Sequence, residues 1–187
     1  MAEILFATSN QRKINEANDT LEHYGLTLKS VSIDIDEIQH HDPIEITKHK
    51  AKAAYAHLGE PVVVSDTSWT IPALGGFPGG YMKDVNIWWR EQDWINIMAG
   101  HNDKTIICKE HLAYYDGKKL VHFSQDYKGT FLDQPQGAEE NEKESFERVA
   151  SLDGVNSLAE GQANRIQNGI KKQLAHWQKF GEWLNEQ

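Results

Sequence analysis

Three polar residues near the start of the chain have the types and spacing of an anion site. Thr8, Asn10 and Lys13 follow the apolar run Ile4–Ala7, and the residues up to Tyr24 then show helical spacing. A strand that leads into a helix directs free backbone N–H groups at one point, where the helix dipole favours negative charge. The pattern indicates a phosphate-binding loop that is not a P-loop, because Gly-x-x-x-x-Gly-Lys is absent. A plain helix cap followed by a surface lysine stays open as the alternative.

Acidic residues in two places of the sequence could hold a divalent cation or activate a water. Asp34, Asp36 and Glu37 end an alternating stretch, and Asp66 comes two residues after the apolar run Val62–Val64. Carboxylate oxygens are ligands that Mg²⁺ accepts, and ligands of α/β proteins bind at the carboxyl edge of the sheet. We therefore expect Asp66 to follow the end of a strand and to position a metal or deprotonate a water. A solvated strand edge is the simpler interpretation of the first group.

Two other reactive groups have structural explanations. His40 and His41 precede Asp42-Pro43, which is typical of a helix start. Adjacent histidines on one turn rarely bind the same metal, and no HExxH or CxxC pattern supports a zinc site. Cys108 is the single cysteine of the chain, so it cannot form an internal disulfide, and its apolar neighbours favour a strand residue over a nucleophile.

The elements that must position these residues follow from apolar periodicity and turn residues. After the first helix, the pattern predicts strand 26–38, helix 44–58, strand 62–64, helix 83–100, a hairpin of strands 105–115 and 120–128 around Asp116-Gly117, and helix 164–184. Residues 129–154 have no clear pattern. Strands that alternate with helices and then form a hairpin predict an α/β fold, with a mixed sheet and helices on its faces.

Size and charge narrow the class of protein. A chain of 187 residues with 39% hydrophobic and 25% charged residues is typical of one globular domain, here residues 1–187. A net charge of −9 argues against nucleic acid or an anionic membrane as a partner, while a small anionic substrate stays possible at a local cationic site. No apolar run approaches the roughly 18 residues of a membrane span, and we expect a cytoplasmic protein.

Five motifs, in order over residues 4–83, resemble those of the inosine triphosphate pyrophosphatases, also called noncanonical purine NTP pyrophosphatases. The family's opening strand with Thr-x-Asn-x-x-Lys is matched by Phe6–Lys13, its glutamate by Glu37, and its helix with a lysine before an alanine by Ile44–Ala53. Its Val-rich strand with Asp-Ser/Thr is matched by Val63–Ser68, and its Ala-Leu-Gly-Gly-x-Pro-Gly-x-Tyr loop by Ala73–Tyr81. The order and number of the matches make the resemblance specific, although each motif alone would be weak.

The resemblance implies a central twisted mixed sheet with flanking helices, two lobes around a nucleotide cleft, and a homodimer. It implies Mg²⁺-dependent hydrolysis of ITP, dITP or XTP to the monophosphate and pyrophosphate, which cleanses the nucleotide pool. By this resemblance, Glu37 and Asp66 would hold the metal and serve the attacking water, with Lys13 as a third catalytic residue. The implied substrate-binding residues are Thr8, Asn10, Lys13, Lys50, Thr67, Ser68, Phe146 and Arg165.

The C-terminal half departs from the family's pattern. The Phe-Gly-Tyr/Trp-Asp-Pro motif that stacks on the purine is missing, with Phe146 as its remnant, and only Arg165 remains of a base-reading Ser-His-Arg. A site that loses such donors loses discrimination between bases. Two alternatives therefore stay open: the same chemistry with an altered or relaxed base preference, or a nucleotide-binding protein without turnover, which the polar stretch Gly137–Glu147 suggests.

Overall fold

The computed structural model describes residues 3–138 and 142–187, and all structural statements below concern these ranges. Its elements in chain order are β1 Glu3–Ala7, α1 Gln11–Leu21, β2 Thr27–Val31, α2 Pro43–Leu58, β3 Val62–Thr70, β4 Pro78–Gly79, α3 Met82–Trp88, α4 Glu91–Met98, β5 Thr105–Tyr115, β6 Leu120–Phe131, β7 Ala150–Ser151, α5 Leu158–Gln167 and α6 Ala175–Asn185. In these ranges, no helix has the length and apolarity that a bilayer span requires.

The strands form one mixed sheet. Its neighbour order is β2-β1-β3-β5-β6-β7, and β4 pairs with β3. β1 runs parallel to β2 and to β3, whereas β3 with β4 and β6 with β7 are antiparallel. This confirms the prediction of an α/β fold with a mixed sheet and flanking helices. The two lobes around a nucleotide cleft stay a prediction.

The chain divides into two compact units. The first comprises the residues up to Thr67, Glu110–Gln125 and Lys171–Gln187, and the second comprises Ser68–Lys109 and Asp126–Ile170. Compact units within a chain do not decide how many domains fold independently, so the single domain of 187 residues also stays a prediction.

In the first unit, apolar side chains cover both faces of the sheet. Ala51 and Ala54 of α2 pack against Val62 and Val64 of β3 on one face. On the other face, Phe6 of β1 meets Trp177 of α6 with ring centroids 5.1 Å apart. Helix α2 begins as predicted, since Asp42 accepts a hydrogen bond from the Ile44 N–H at 2.9 Å and Pro43 is the first helical residue.

The second unit has an aromatic core. Phe146 has none of its surface exposed and lies 4.9–5.5 Å, between ring centroids, from Trp69, Trp94 and Phe131. Cys108 is buried in the same cluster, which confirms its interpretation as a strand residue.

The predicted strand 26–38 is wrong in its length. β2 ends at Val31 because its partner β1 has five residues, paired one to one from Glu3↔Thr27 to Ala7↔Val31. Beyond Val31 the chain is no longer a strand, although the exposure of its side chains still alternates. Ile33 and Ile35 are partly buried, and their neighbours Ser32, Asp34 and Asp36 are exposed.

The prediction that β3 ends before Asp66 is also wrong. β3 continues to Thr70, and its last residues pair with β4 in the register Trp69↔Gly79 and Thr70↔Pro78. A strand continues where its backbone N–H and C=O groups can form hydrogen bonds, whatever the polarity of its side chains.

Each of the two long predicted helices is interrupted. Residues 83–100 form α3 and α4, separated where Trp89 is extended and the Arg90 N–H donates to the Asp93 carboxylate at 2.8 Å. Residues 164–184 cover the end of α5 and most of α6, and Gly169, with φ of 60°, stops the first of these. The hairpin is confirmed, with β6 longer than predicted at its far end.

Candidate functional site

The loop between β1 and α1 combines a helix cap with a lysine that turns inward. Asn10 is the N-cap of α1 and accepts from the Lys13 N–H at 3.3 Å, while its own N–H donates to Thr8 Oγ1 at 3.2 Å. The side-chain oxygens of Thr8 and Asn10 thus order the turn, as the plain-cap alternative requires. Lys13, however, is not a surface lysine: it is partly buried, and its Nζ donates to the Ser65 carbonyl at 3.4 Å.

A second group of predicted residues lies with helix α2. Lys50 Nζ and Glu37 Oε1 form an ion pair at 2.5 Å, with the side chains 19% and 34% exposed. Glu37 lies outside any strand, in the extended connection that leads to α2. The helix therefore positions a lysine, and the lysine fixes a carboxylate that would otherwise project into solvent.

Alternation along β3 separates Asp66 from its neighbours. Val62 and Val64 face α2, so by alternation Asp66 lies on the same face of β3. Helix α2, which carries Lys50, covers that face of the sheet. Its Oδ1 accepts from the Thr67 N–H at 2.9 Å. The Thr67 side chain points to the opposite face of β3.

On that opposite face the structure adds a residue that the sequence analysis missed, Glu110 of β5. Its Oε2 accepts from the Thr67 hydroxyl at 2.9 Å. Burial raises the pKa of the Glu110 carboxyl, and the positive charge of Lys13 is the strongest influence that opposes the increase. The signal was available in the strand pattern, because Glu110 interrupts a series of inward-facing residues that are all apolar or aromatic: Ile106, Cys108, Leu112 and Tyr114.

The polar residues do not form a cage for a metal ion by themselves. In the described ranges no three His, Cys, Asp or Glu side chains come together as a group that could hold one. His40 and His41 stack on each other at 4.4 Å, and His40 Nδ1 accepts from the Asp42 N–H, in keeping with a helix-start loop.

The structure places the remaining predicted residues in the second unit. Ser68 is buried on β3, Phe146 is enclosed in the aromatic core, and Arg165 is partly buried in the last turn of α5. Phe146 therefore presents no free face for a base in this structure. Residues 139–141 of the polar stretch lie outside the described residues.

A groove of about 510 Å³ in the second unit is lined in part by Arg148, Gln162 and Asn164. Residues close to Arg165 in the sequence thus border a concave surface. Arg165 itself does not line it.

Comparisons with known proteins agree with one another. The sequence model of the Ham1 family matches residues 4–167. The inosine triphosphate pyrophosphatase of Encephalitozoon intestinalis is 32% identical over 173 residues, covering 89% of this chain and 84% of its own. The dITP/XTP pyrophosphatase of Methanopyrus kandleri is 31% identical over 137 residues and 73% of each chain. The structure of a HAM1 protein from Coxiella burnetii matches all of both chains with a TM-score of 0.78 at 19% identity, a likeness of fold.

Proposed function

Because this chain belongs to the Ham1 family, we propose that it is a nucleoside triphosphate pyrophosphatase that hydrolyses ITP, dITP and XTP to the monophosphate and pyrophosphate. The observation that carries the proposal is that one compact unit contains two partly buried lysines and two carboxylates from separate motifs: Lys13, Lys50, Glu37 and Asp66. Relatives named for inosine triphosphate and for dITP/XTP support the purine substrates over an altered base preference.

The lysines supply the positive charge that a triphosphate requires in an acidic protein. Lys13 and Lys50 bind phosphate oxygens and neutralise charge on the pyrophosphate leaving group. Lys50 is already ordered by its ion pair with Glu37, so less of its side-chain entropy is lost when phosphate binds.

Asp66 is the proposed base. It takes the proton of a water whose oxygen forms a bond to the α-phosphorus, while the bond to the bridging oxygen breaks and pyrophosphate leaves. The hydrogen bond from the Thr67 N–H occupies Oδ1 and leaves the other carboxylate oxygen to face the water.

Mg²⁺ is part of the proposal, held by Glu37 and Asp66. Mg²⁺ is usually bound by one or two carboxylates together with substrate phosphates, so two carboxylates are enough for such a site. When bound, the ion neutralises phosphate charge and polarises the phosphorus.

Two further proposals concern assembly and location. A homodimer is supported by exposed apolar side chains on α3, where Trp88 is 72% and Ile87 is 52% exposed. Light scattering on the full chain tests it. We also propose a cytoplasmic location, with the nucleotide pool on which the enzyme would act.

The activity is tested by incubating the pure protein and Mg²⁺ with ITP, XTP, dITP and the four standard ribonucleoside triphosphates, and separating the products. We expect pyrophosphate and monophosphate, with the fastest rates for ITP, XTP and dITP. Equal rates for all bases would favour relaxed specificity, and binding without any product would favour a protein that has lost turnover.

A further inference from the structure

Glu110 is an acidic side chain of β5 in the first unit, on the strand face that also carries Leu112 and Tyr114. It accepts a hydrogen bond from Thr67, and the charges that act on it come from Lys13, Lys172 and Glu16. Lys172 and Glu16 form an ion pair with each other at 2.9 Å. Among these cations Lys13 therefore stands out, because its charge acts most strongly on Glu110 and its Nζ donates to a backbone carbonyl, that of Ser65.

The geometry connects the two residues through β3. Ser65 and Thr67 are two positions apart, so their side chains share the face of the strand that lies towards Glu110. Lys13 Nζ contacts the backbone carbonyl of Ser65, and Glu110 contacts the side chain of Thr67, so both groups meet β3 within three residues of each other. A single long hydrogen bond of 3.4 Å gives a flexible lysine little orientation, whereas a nearby carboxylate in a partly buried setting attracts it strongly.

We propose that Glu110 is a positioning residue for Lys13, whose carboxylate, fixed by the Thr67 hydroxyl, holds the Lys13 ammonium where it meets the triphosphate. Glu110 itself touches neither nucleotide nor metal in this account. The proposal rests on the proposed role of Lys13 in binding phosphate. It also gives a reason for an acidic residue in an inward-facing strand position, where a buried charge is costly unless it is paired.

The contact itself can be tested without any nucleotide. The urea midpoint of the full chain is measured for Glu110→Gln, Lys13→Met and the double variant, and the effect of Glu110→Gln is compared in the two backgrounds. We expect the substitution to be less favourable for the midpoint when Lys13 is present than when it is absent, because only then is the attraction between the two charges lost. In the Lys13→Met background it should raise the midpoint relative to its effect in the native background, because it removes a partly buried carboxylate whose attraction to Lys13 is already gone. An equal change in both backgrounds would overturn the proposal, and Lys13→Gln replaces Lys13→Met if the latter does not fold.

The functional consequence is a change in substrate binding. Glu110→Gln should raise KM for ITP about fivefold and leave kcat within about twofold, because a less ordered lysine weakens binding more than chemistry. In the Lys13→Met background, Glu110→Gln should change KM no further. A loss confined to kcat, or an equal effect of Glu110→Gln in both backgrounds, would contradict a role through Lys13.

The matched control is Glu91→Gln in the second unit. Glu91 is also an acid in a partly buried ion pair, with Arg148 at 2.7 Å, so its substitution has a similar cost to stability. We expect it to leave KM unchanged and to show no coupling with Lys13. If the native protein turns over no nucleotide, the proposed function fails while the urea measurements still decide whether Glu110 and Lys13 are coupled.

Discussion

The two compact units differ in what they do with the residues that the motifs single out. In the first unit the two lysines among these residues are partly buried and contact a polar group, as in the pairs Lys13–Ser65 and Lys50–Glu37. In the second unit Phe146 and Ser68 are buried, Phe146 in an aromatic core. The difference teaches that the residues proposed to bind phosphate have polar partners within their unit, whereas two of those proposed to lie near the base are buried.

The largest expected effect breaks the first unit's chemistry. Asp66→Asn should lower kcat/KM for ITP by about a thousandfold, because an amide cannot take a proton from water. Steady-state kinetics measures the loss, and circular dichroism checks that the fold is kept. Asp34→Asn, an exposed acid outside the proposed site, is the control and should leave kcat/KM unchanged. Activity of Asp66→Asn within about threefold of the native protein would remove Asp66 from its role.

The second prediction concerns packing in the other unit. Phe146→Ala should lower the free energy of unfolding by about 3–5 kcal/mol, since it opens a cavity among Trp69, Trp94 and Phe131. Phe146→Leu should cost less, and in urea titrations the two variants should separate clearly. If Phe146→Leu were as stable as the native protein but no longer distinguished ITP from ATP, the side chain would contact the base, and the contrast between the units would fail.

The third prediction uses a buried histidine of the first unit. Burial lowers the pKa of His176 to about 3 from its ordinary value of 6.5. The unfolded chain therefore binds a proton below pH 6.5 that the folded chain refuses until about pH 3, so stability is complete above pH 6.5 and falls as the pH decreases.

By pH 5 the loss should be about 2 kcal/mol, measured by urea unfolding at a series of pH values. His176→Leu should remove this part of the acid sensitivity, whereas the exposed His57→Gln should not. An unchanged slope for His176→Leu would show that the imidazole is already charged in the folded protein.

The smallest effect is expected at the charged face of α2. Lys50→Met should raise KM for ITP about tenfold, because one phosphate contact and the ordering of Glu37 are both lost. Lys52→Met is a closely matched control, since Lys52 lies two residues along the same helix and is exposed. Equal KM values for the two variants would contradict a phosphate role for Lys50.

Local signals in the sequence predicted what local physics decides. Helix α2 starts at the N-cap Asp42 and Pro43, and it ends at Gly59 in the left-handed conformation. Residue types alone predict these features. The ends of β2 and β3 could not be predicted, because the length of a partner strand sets each of them. The strand pattern could mark Glu110 as an unusual position but not the groups that it meets, because Thr67 and Lys13 are distant in the sequence.

The central claim is that the first unit directs hydrolysis between the α- and β-phosphates. The most direct measurement is ³¹P NMR of the products when the protein turns over ITP in ¹⁸O-labelled water with Mg²⁺. The account predicts pyrophosphate and labelled inosine monophosphate, with the ¹⁸O on the α-phosphorus. Orthophosphate with inosine diphosphate, or label in the pyrophosphate, would contradict it.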